Sequence, residues 1–434
     1  MRFKTGPDEF IPLDNAALIY PPTQARYNSN VFRISMDLDI PVEPQRLLKA
    51  LQHTMVRFPY YAVSLHHGFF WYYLSPHNKP LKVYPDRSYP CAYFHRKKSA
   101  NGYLFKVLYR DYRIAVECFH SLTDGTGALI LLKSLVAQYL KLSGIAVGED
   151  SQIFIPGSPI GEEESADSFQ TFFKPLRSVF ESDVAAFHLK SSQFELTDHT
   201  QVISAIVDVD AVKKAASVNQ ATITEYFVAE LIDAFQRVQQ QTVSSPKRYK
   251  PIRISVPVNI RKIFGSTSMR NFTLFVVVGI DPRLGEYAFE EIIEQVRYQI
   301  RNGVNSKSLS RQISRNVAGG RNILIRYAPN FLKGPIMKIL SERYGDRLYS
   351  STISNLGALT LPSGMSSHVT RADFYLSPSK SNKVSLAVVG ANGRLYLNFS
   401  SVLVKRTDIE REFLSTLVAK GIPVEVASNR DELL

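Results

Sequence analysis

A mixed α/β protein built in two halves is the architecture this sequence predicts, and three features predict it. The first is length: 434 residues exceed one ordinary domain of about 100–200 residues and suit two. The second is pattern. Segments that alternate polar and apolar at every second position are interleaved with stretches whose apolar residues recur every three or four positions. The third is that this interleaving gives way to an acidic, polar stretch before mid-chain and then starts again. Composition agrees, since 45% apolar and 21% charged residues describe a globular chain rather than a disordered or fibrous one.

The elements can be justified in order. Val31 to Leu38 reads Val-Phe-Arg-Ile-Ser-Met-Asp-Leu, the alternation of a half-buried strand. Pro44 opens a helix to about Arg57, with Leu47, Leu48, Leu51, Met55 and Phe58 at helical spacing. Strands follow at Tyr61–Leu65, Phe69–Leu74 and Leu81–Tyr84, then a hairpin of Tyr103–Leu108 and Tyr112–Phe119, then a helix over about Thr126–Leu142. Pro156-Gly157-Ser158-Pro159 and the acids Glu162, Glu163, Glu164 and Asp167 mark a linker around 157–195. The second half restarts with a strand at Val202–Val209, a helix at Thr222–Val238 and strands at Ile252–Ile260 and Phe272–Ile280. Two or three helices cover 286–343. Strands resume at Leu348–Ser354, His368–Leu376, Lys383–Val389 and Arg394–Val402 before a closing helix near Asp408–Lys420. The expected domains are residues 1–175 and 176–434.

Composition excludes several classes of function. Two cysteines, Cys91 and Cys118, make neither a disulfide scaffold nor a structural zinc site and suit a reducing, cytoplasmic compartment. The N-terminus lacks the apolar core of a secretory signal. No run approaches the roughly 18 apolar residues of a membrane span. The net charge of +13 points to anionic partners: nucleic acid, a membrane surface or a phosphorylated ligand. Eleven basic residues lie between Val296 and Arg347 against Glu342 and Asp346, so the excess is concentrated there. Gly319-Gly320 and the isolated glycines form no phosphate-binding loop.

The segment Tyr112–His120 carries the chemistry. Ile114, Val116 and Cys118 share one strand face, and His120 has their parity. The strand therefore delivers an imidazole toward the interior, where a neutral histidine is the usual base for an alcohol, amine or thiol. Ser121-Leu122-Thr123-Asp124-Gly125 then forms a short loop into the next helix. Asp124 is placed to bind backbone N–H groups or a distant arginine, and Gly125 permits the tight exit. Ordinary turn punctuation is the competing account of Asp-Gly.

Phe119-His120-Ser121-Leu122-Thr123-Asp124-Gly125 resembles the HxxxDG motif of the chloramphenicol-acetyltransferase-like, CoA-dependent acyltransferases. That superfamily includes BAHD acyltransferases, wax ester synthases, alcohol acetyltransferases and the condensation domains of peptide synthetases. Arg57-Phe58-Pro59-Tyr60 resembles the family's Phe-Pro turn, and Val256–Arg261 with Asn271-Phe272 its V-D-x-R and Asn segments, with Asn259 at the usual Asp. Asp373-Phe374 stands where BAHD enzymes have Asp-Phe-Gly-Trp-Gly. The likeness runs from about residue 12 to 420 and is greatest to alcohol-acetyltransferase-like members. It implies an α+β sandwich of two similar subdomains, each a mixed sheet flanked by helices, with an active-site tunnel between them. It also implies a monomer with no permanently bound cofactor and no metal. Acyl-CoA would be the donor, a small alcohol or amine the acceptor, and His120 the general base. Asp124 would be structural, paired with Arg261, while Asn271, Ser354, Asn355 and Asp373 are candidates to line the tunnel. Two alternatives stay open: a carrier-protein-bound donor, and a non-catalytic member that binds a ligand or partner.

Other candidates are weaker. Cys118 lies near His120 but reads as a small core hydrophobe rather than a nucleophile. His66, His67 and His77 lack a carboxylate or cysteine at ligand spacing, and adjacent strand residues face opposite ways. Phe69-Phe70-Trp71-Tyr72-Tyr73 suggests a base-stacking platform, but no nucleic-acid module accompanies it.

Overall fold

The computed structural model describes residues 10–430 apart from 88, 96–98, 149, 177–183, 193–195 and 322–326, with the backbone alone at 198, 338, 340–344 and 346. Of the basic residues counted above, Arg326 and the side chains of Lys338 and Arg343 lie outside this description. The first half supplies β1 (Ile11–Pro12), β2 (Val31–Leu38), β3 (Val63–His67), β4 (Tyr72–Pro76), β5 (Val83–Pro85), β6 (Phe105–Arg110) and β7 (Arg113–Phe119). From the second come β8 (Leu196–Asp208), β9 (Ile252–Asn259), β10 (Thr273–Ile280), β11 (Ser351–Ala358), β12 (Val369–Leu376), β13 (Val384–Ala391), β14 (Arg394–Leu403) and β15 (Glu425–Ser428).

These strands form two mixed sheets, five-stranded in the order β12-β2-β7-β6-β5 and seven-stranded in the order β10-β9-β11-β13-β14-β8-β15, plus a small sheet β1-β4-β3. The two-subdomain α/β architecture expected from the sequence is therefore present. One strand crosses over: β12 belongs to the second half but pairs antiparallel with β2, Phe374 opposite Ile34. The described part of the expected linker is docked. Arg57 binds the buried Glu164 through two bonds of 2.8 and 2.7 Å, Tyr60 adds a third at 2.7 Å, and Met269 N–H reaches the Glu164 carbonyl.

The cores follow from side-chain parity. Ile34, Met36, Val116 and Cys118 pack under the Pro44–Arg57 and Gly125–Leu142 helices. β13 is buried along its whole length because its two faces feed different cores. Ala387 and Val389 join the first half's core, whereas Leu386 and Val388 join the second's, beneath the Ile223–Thr242, Phe289–Gly303 and Asp408–Ala419 helices. A continuous apolar run is the signature of a strand covered on both sides. The structure adds β15 and a Val209–Val218 helix, capped by the Asp208 carboxylate on the Asp210 and Ala211 N–H groups.

Candidate active site

His120 follows β7 directly, its N–H still bonded to the Asn30 carbonyl at 2.9 Å. That ladder bond fixes the parity, so the ring emerges on the apolar face. Tyr20 stacks on it with ring centroids 4.8 Å apart, and Phe32 tilts against it at 4.5 Å. Nδ1 is buried without a hydrogen-bond partner among the described residues. Burial pushes the imidazole down to about 4, against the opposing influence of the Asp124 carboxylate and the Asn271 amide. The ring is consequently neutral at physiological pH and able to accept a proton.

Asp124 ties the loop after His120 to the second half. The Arg261 guanidinium grips it with two bonds, 2.8 Å to Oδ2 and 3.0 Å to Oδ1. Phe272 N–H and the Thr273 hydroxyl each donate to Oδ2 at 2.9 Å, and Gly127 N–H donates to Oδ1 at 3.2 Å, capping the Gly125–Leu142 helix. Burial alone would raise this carboxyl, but Arg261 and the added donors hold it below the ordinary range. Arg261 is itself held by the carbonyls of Ser268 and Arg270 and by Asn259.

Asn271 reaches across to the end of β7. Its amide nitrogen donates to the His120 carbonyl at 2.9 Å and to Asp14 Oδ2 at 3.0 Å. Asp14 is buried, accepts from Ala17 N–H at 2.8 Å, and is raised by burial to about 7 despite the nearby Arg270. Burial likewise raises the Tyr20 phenol and the Cys118 thiol, which keeps both protonated. Asp14, Tyr20 and Phe32 escaped the sequence reading because they come from a distant segment or read as ordinary core. Gly127 escaped it too. A Cβ there would sit 2.5 Å from the Tyr61 hydroxyl and 2.6 Å from the Met269 carbonyl, so only glycine fits; the clue was a second glycine just inside the helix.

Ser354 and Asn355 lie on the lip of an opening in the seven-stranded sheet. β9 and β11 pair only at Ile254–Ser351 and Ser255–Thr352. Beyond that, β9 stays with β10 to Asn259, and β11 stays with β13 to Asn355 and, past a register shift, at Ala358. The Gly125 end of the long helix faces the parted strands. Asn259 donates to the Thr126 hydroxyl at 3.0 Å, and Leu356 packs where a Gly125 Cβ would be. Asn355 spends its amide on the Thr224 hydroxyl and on Gly357 N–H.

Asp373 is not brought to His120. It sits fully buried on the opposite face of the five-stranded sheet, bound by Arg371 at 2.8 and 3.0 Å, Arg113 at 3.2 Å and Asn398 at 3.2 Å. The odd-numbered positions of β12 face that way, whereas Phe374 turns toward Phe32 on the His120 side. A cleft of about 1060 Å³ opens on the Asp373 face, lined by Arg33, Tyr109, Arg113, Ser204, Arg371 and Tyr375, and His120 does not line it.

No protein-family model matches the sequence, and no curated protein does. Solved structures do. TRI101 of F. sporotrichioides, complexed with coenzyme A and T-2, aligns at TM-score 0.60 and 12% identity over 96% of this chain and 100% of that one. The starter condensation domain of rhizomide synthetase, complexed with C8-CoA, aligns at 0.57 and 13% over 95% of each chain. The wax ester synthase/diacylglycerol acyltransferase from Marinobacter aquaeolei VT8 aligns at 0.54 and 9% over 95% of this chain and 100% of that one. The chain thus has the two-subdomain fold of the CoA-dependent acyltransferases, the chloramphenicol-acetyltransferase-like fold.

Proposed function

We propose that the protein transfers an acyl group from acyl-CoA to the hydroxyl or amine of a small acceptor, an alcohol-acetyltransferase-like activity, with His120 as general base. One observation carries this reading: a half-buried, neutral imidazole at the end of β7 whose Nδ1 has no hydrogen-bond partner among the described residues. The coenzyme A and C8-CoA bound by two of the similar structures support the choice of donor. His120 takes the proton of the acceptor as its oxygen or nitrogen attacks the thioester carbonyl. The tetrahedral adduct collapses by breaking the C–S bond, and the imidazolium returns the proton to the departing thiolate. Asn271 is a positioning residue, since its amide is occupied by the His120 carbonyl and Asp14. Asp124 and Arg261 hold the halves in register around the base, and Gly125 admits Leu356 at the opening between β9 and β11.

The test is release of free CoA thiol from a panel of acyl-CoAs mixed with small alcohols and amines. Wild-type protein releases thiol, and His120→Ala lowers the rate by roughly 10²–10⁴-fold. Release that survives the substitution overturns the base assignment. Turnover only from an acyl group loaded on a carrier protein overturns the donor.

A further inference from the structure

Where its side chains are described, the Asn330–Tyr344 helix is turned the wrong way round for a surface helix. Such helices ordinarily bury their apolar stripe and expose their polar one. Here Phe331, Ile336 and Ile339 are 66%, 53% and 60% exposed and Leu332 is also exposed, whereas Asn330 is buried. The inward polar residues serve as anchors. Asn330 N–H donates to the Phe69 carbonyl and its amide to the Gly68 carbonyl, both at 2.8 Å. Lys333 donates to the Phe70 carbonyl at 2.8 Å and lies 3.5 Å from the centre of the Trp71 ring. Helix and turn are therefore locked together, and the turn adds exposed Phe69, Phe70 and Trp71. The first three residues of the Phe69–Tyr73 run, which resembled a base-stacking platform, form an apolar outer surface continuous with the helix.

An exposed apolar patch of this size marks a surface that something covers. Charge indicates what. The preceding Ser306–Arg321 helix buries Leu309, Ile313 and Val317 and exposes Lys307, Arg311, Arg315 and Arg321, with no acid anywhere along it. Exposed aromatic and aliphatic side chains in so basic a stretch of the chain match an anionic lipid interface, where rings and aliphatic groups enter the headgroup boundary and cations meet lipid phosphates. Among the described residues no helix is long and apolar enough to cross a membrane. The arrangement is that of a surface lying on a bilayer. It also adjoins the site, because the Asn330–Tyr344 helix packs on the Tyr20–Thr23 turn whose Tyr20 ring stacks on His120.

We propose that the Phe69–Trp71 turn and the outer stripe of the Asn330–Tyr344 helix dock the protein onto an anionic bilayer. The test uses the full chain and no activity, so it stands apart from the acyl-transfer reading. Vesicles of phosphatidylcholine alone, or with phosphatidylglycerol, are sedimented with the protein while Trp71, the single tryptophan, reports by fluorescence. Partition into phosphatidylglycerol vesicles with a blue shift of Trp71 is expected, weakening with salt. Phe331→Ser/Ile336→Ser/Ile339→Ser lowers partition at least tenfold with an unchanged melting curve, as these side chains are exposed. Lys307→Gln/Arg311→Gln/Arg315→Gln removes the preference for phosphatidylglycerol. Absence of partition, or partition indifferent to the triple serine change, overturns the proposal. So does self-association, or capture of another protein, that depends on the patch while vesicles are ignored.

Discussion

On one face of the five-stranded sheet, His120 is set among Tyr20, Phe32 and Cys118; on the other, the same strands bury Arg33, Glu117 and Asp373 and carry the half-buried Arg113 and Arg371. The second face satisfies its charges. Arg33 holds Glu117 at 2.9 Å and Asp86 at 2.8 Å, while Arg113 binds Asp37 at 2.6 Å as well as Asp373. The first face ends in an imidazole whose Nδ1 is unbonded among the described residues. Closed networks hold a structure together, whereas a buried group without a partner retains capacity for chemistry. A cleft is thus an unreliable guide here, since the 1060 Å³ opening lies on the closed face.

The contrast can be broken most forcefully at Asp373. Asp373→Ala strands Arg371 and the Asn398 amide and leaves Arg113 to Asp37 alone, and is expected to cost about 3–5 kcal/mol of stability, read by urea unfolding. His120→Ala, which removes a group with no Nδ1 partner, is expected to cost far less. Equal losses from the two would erase the distinction. The next largest effect is on pH. With His120 at about 4 in the fold and about 6.5 unfolded, the unfolded chain binds more protons between those values. Stability falls as pH drops through that window, by on the order of 3 kcal/mol, and His120→Ala flattens that slope. Asp14 acts oppositely. Raised to about 7, it contributes stability that is fully present below its unfolded value of about 3.9 and is lost as pH rises from there through 7, and Asp14→Asn removes this decline. The smallest effect sharpens the comparison: Ser35, on the charged face, buries a hydroxyl without a partner among the described residues. Ser35→Ala is expected to be neutral or stabilising by up to about 1 kcal/mol in the same unfolding assay.

Local patterns made much of the fold legible. Alternation located β2, β7 and β14 to within a residue or so, and the Pro44 start and apolar spacing located the Pro44–Arg57 helix. Strand parity likewise put His120 on the apolar face. Pairings between distant segments were not legible. Nothing near Val369 shows that β12 joins β2, and nothing near Asp14 or Tyr20 shows that they meet the end of β7. For Asp373, a motif match gave its place in the chain while parity, applied to the same strand, gives its face. The acids of the expected linker looked solvated because their cations, Arg57 for Glu164 in particular, lie far away in sequence.

The crossing of β12 also sets a timetable. β2 leaves the ribosome some 330 residues ahead of its partner, an interval on the order of 15–60 s at about 5–20 residues per second. Throughout that time β2 presents an open edge, the kind of surface to which nascent-chain chaperones and wrongly paired strands bind. Completion of the first half waits on the arrival of Val369–Leu376. The amino-terminal portion is thus unfinished until late in synthesis, and a gene divided at codon 175 would yield two polypeptides that can mature only in each other's presence.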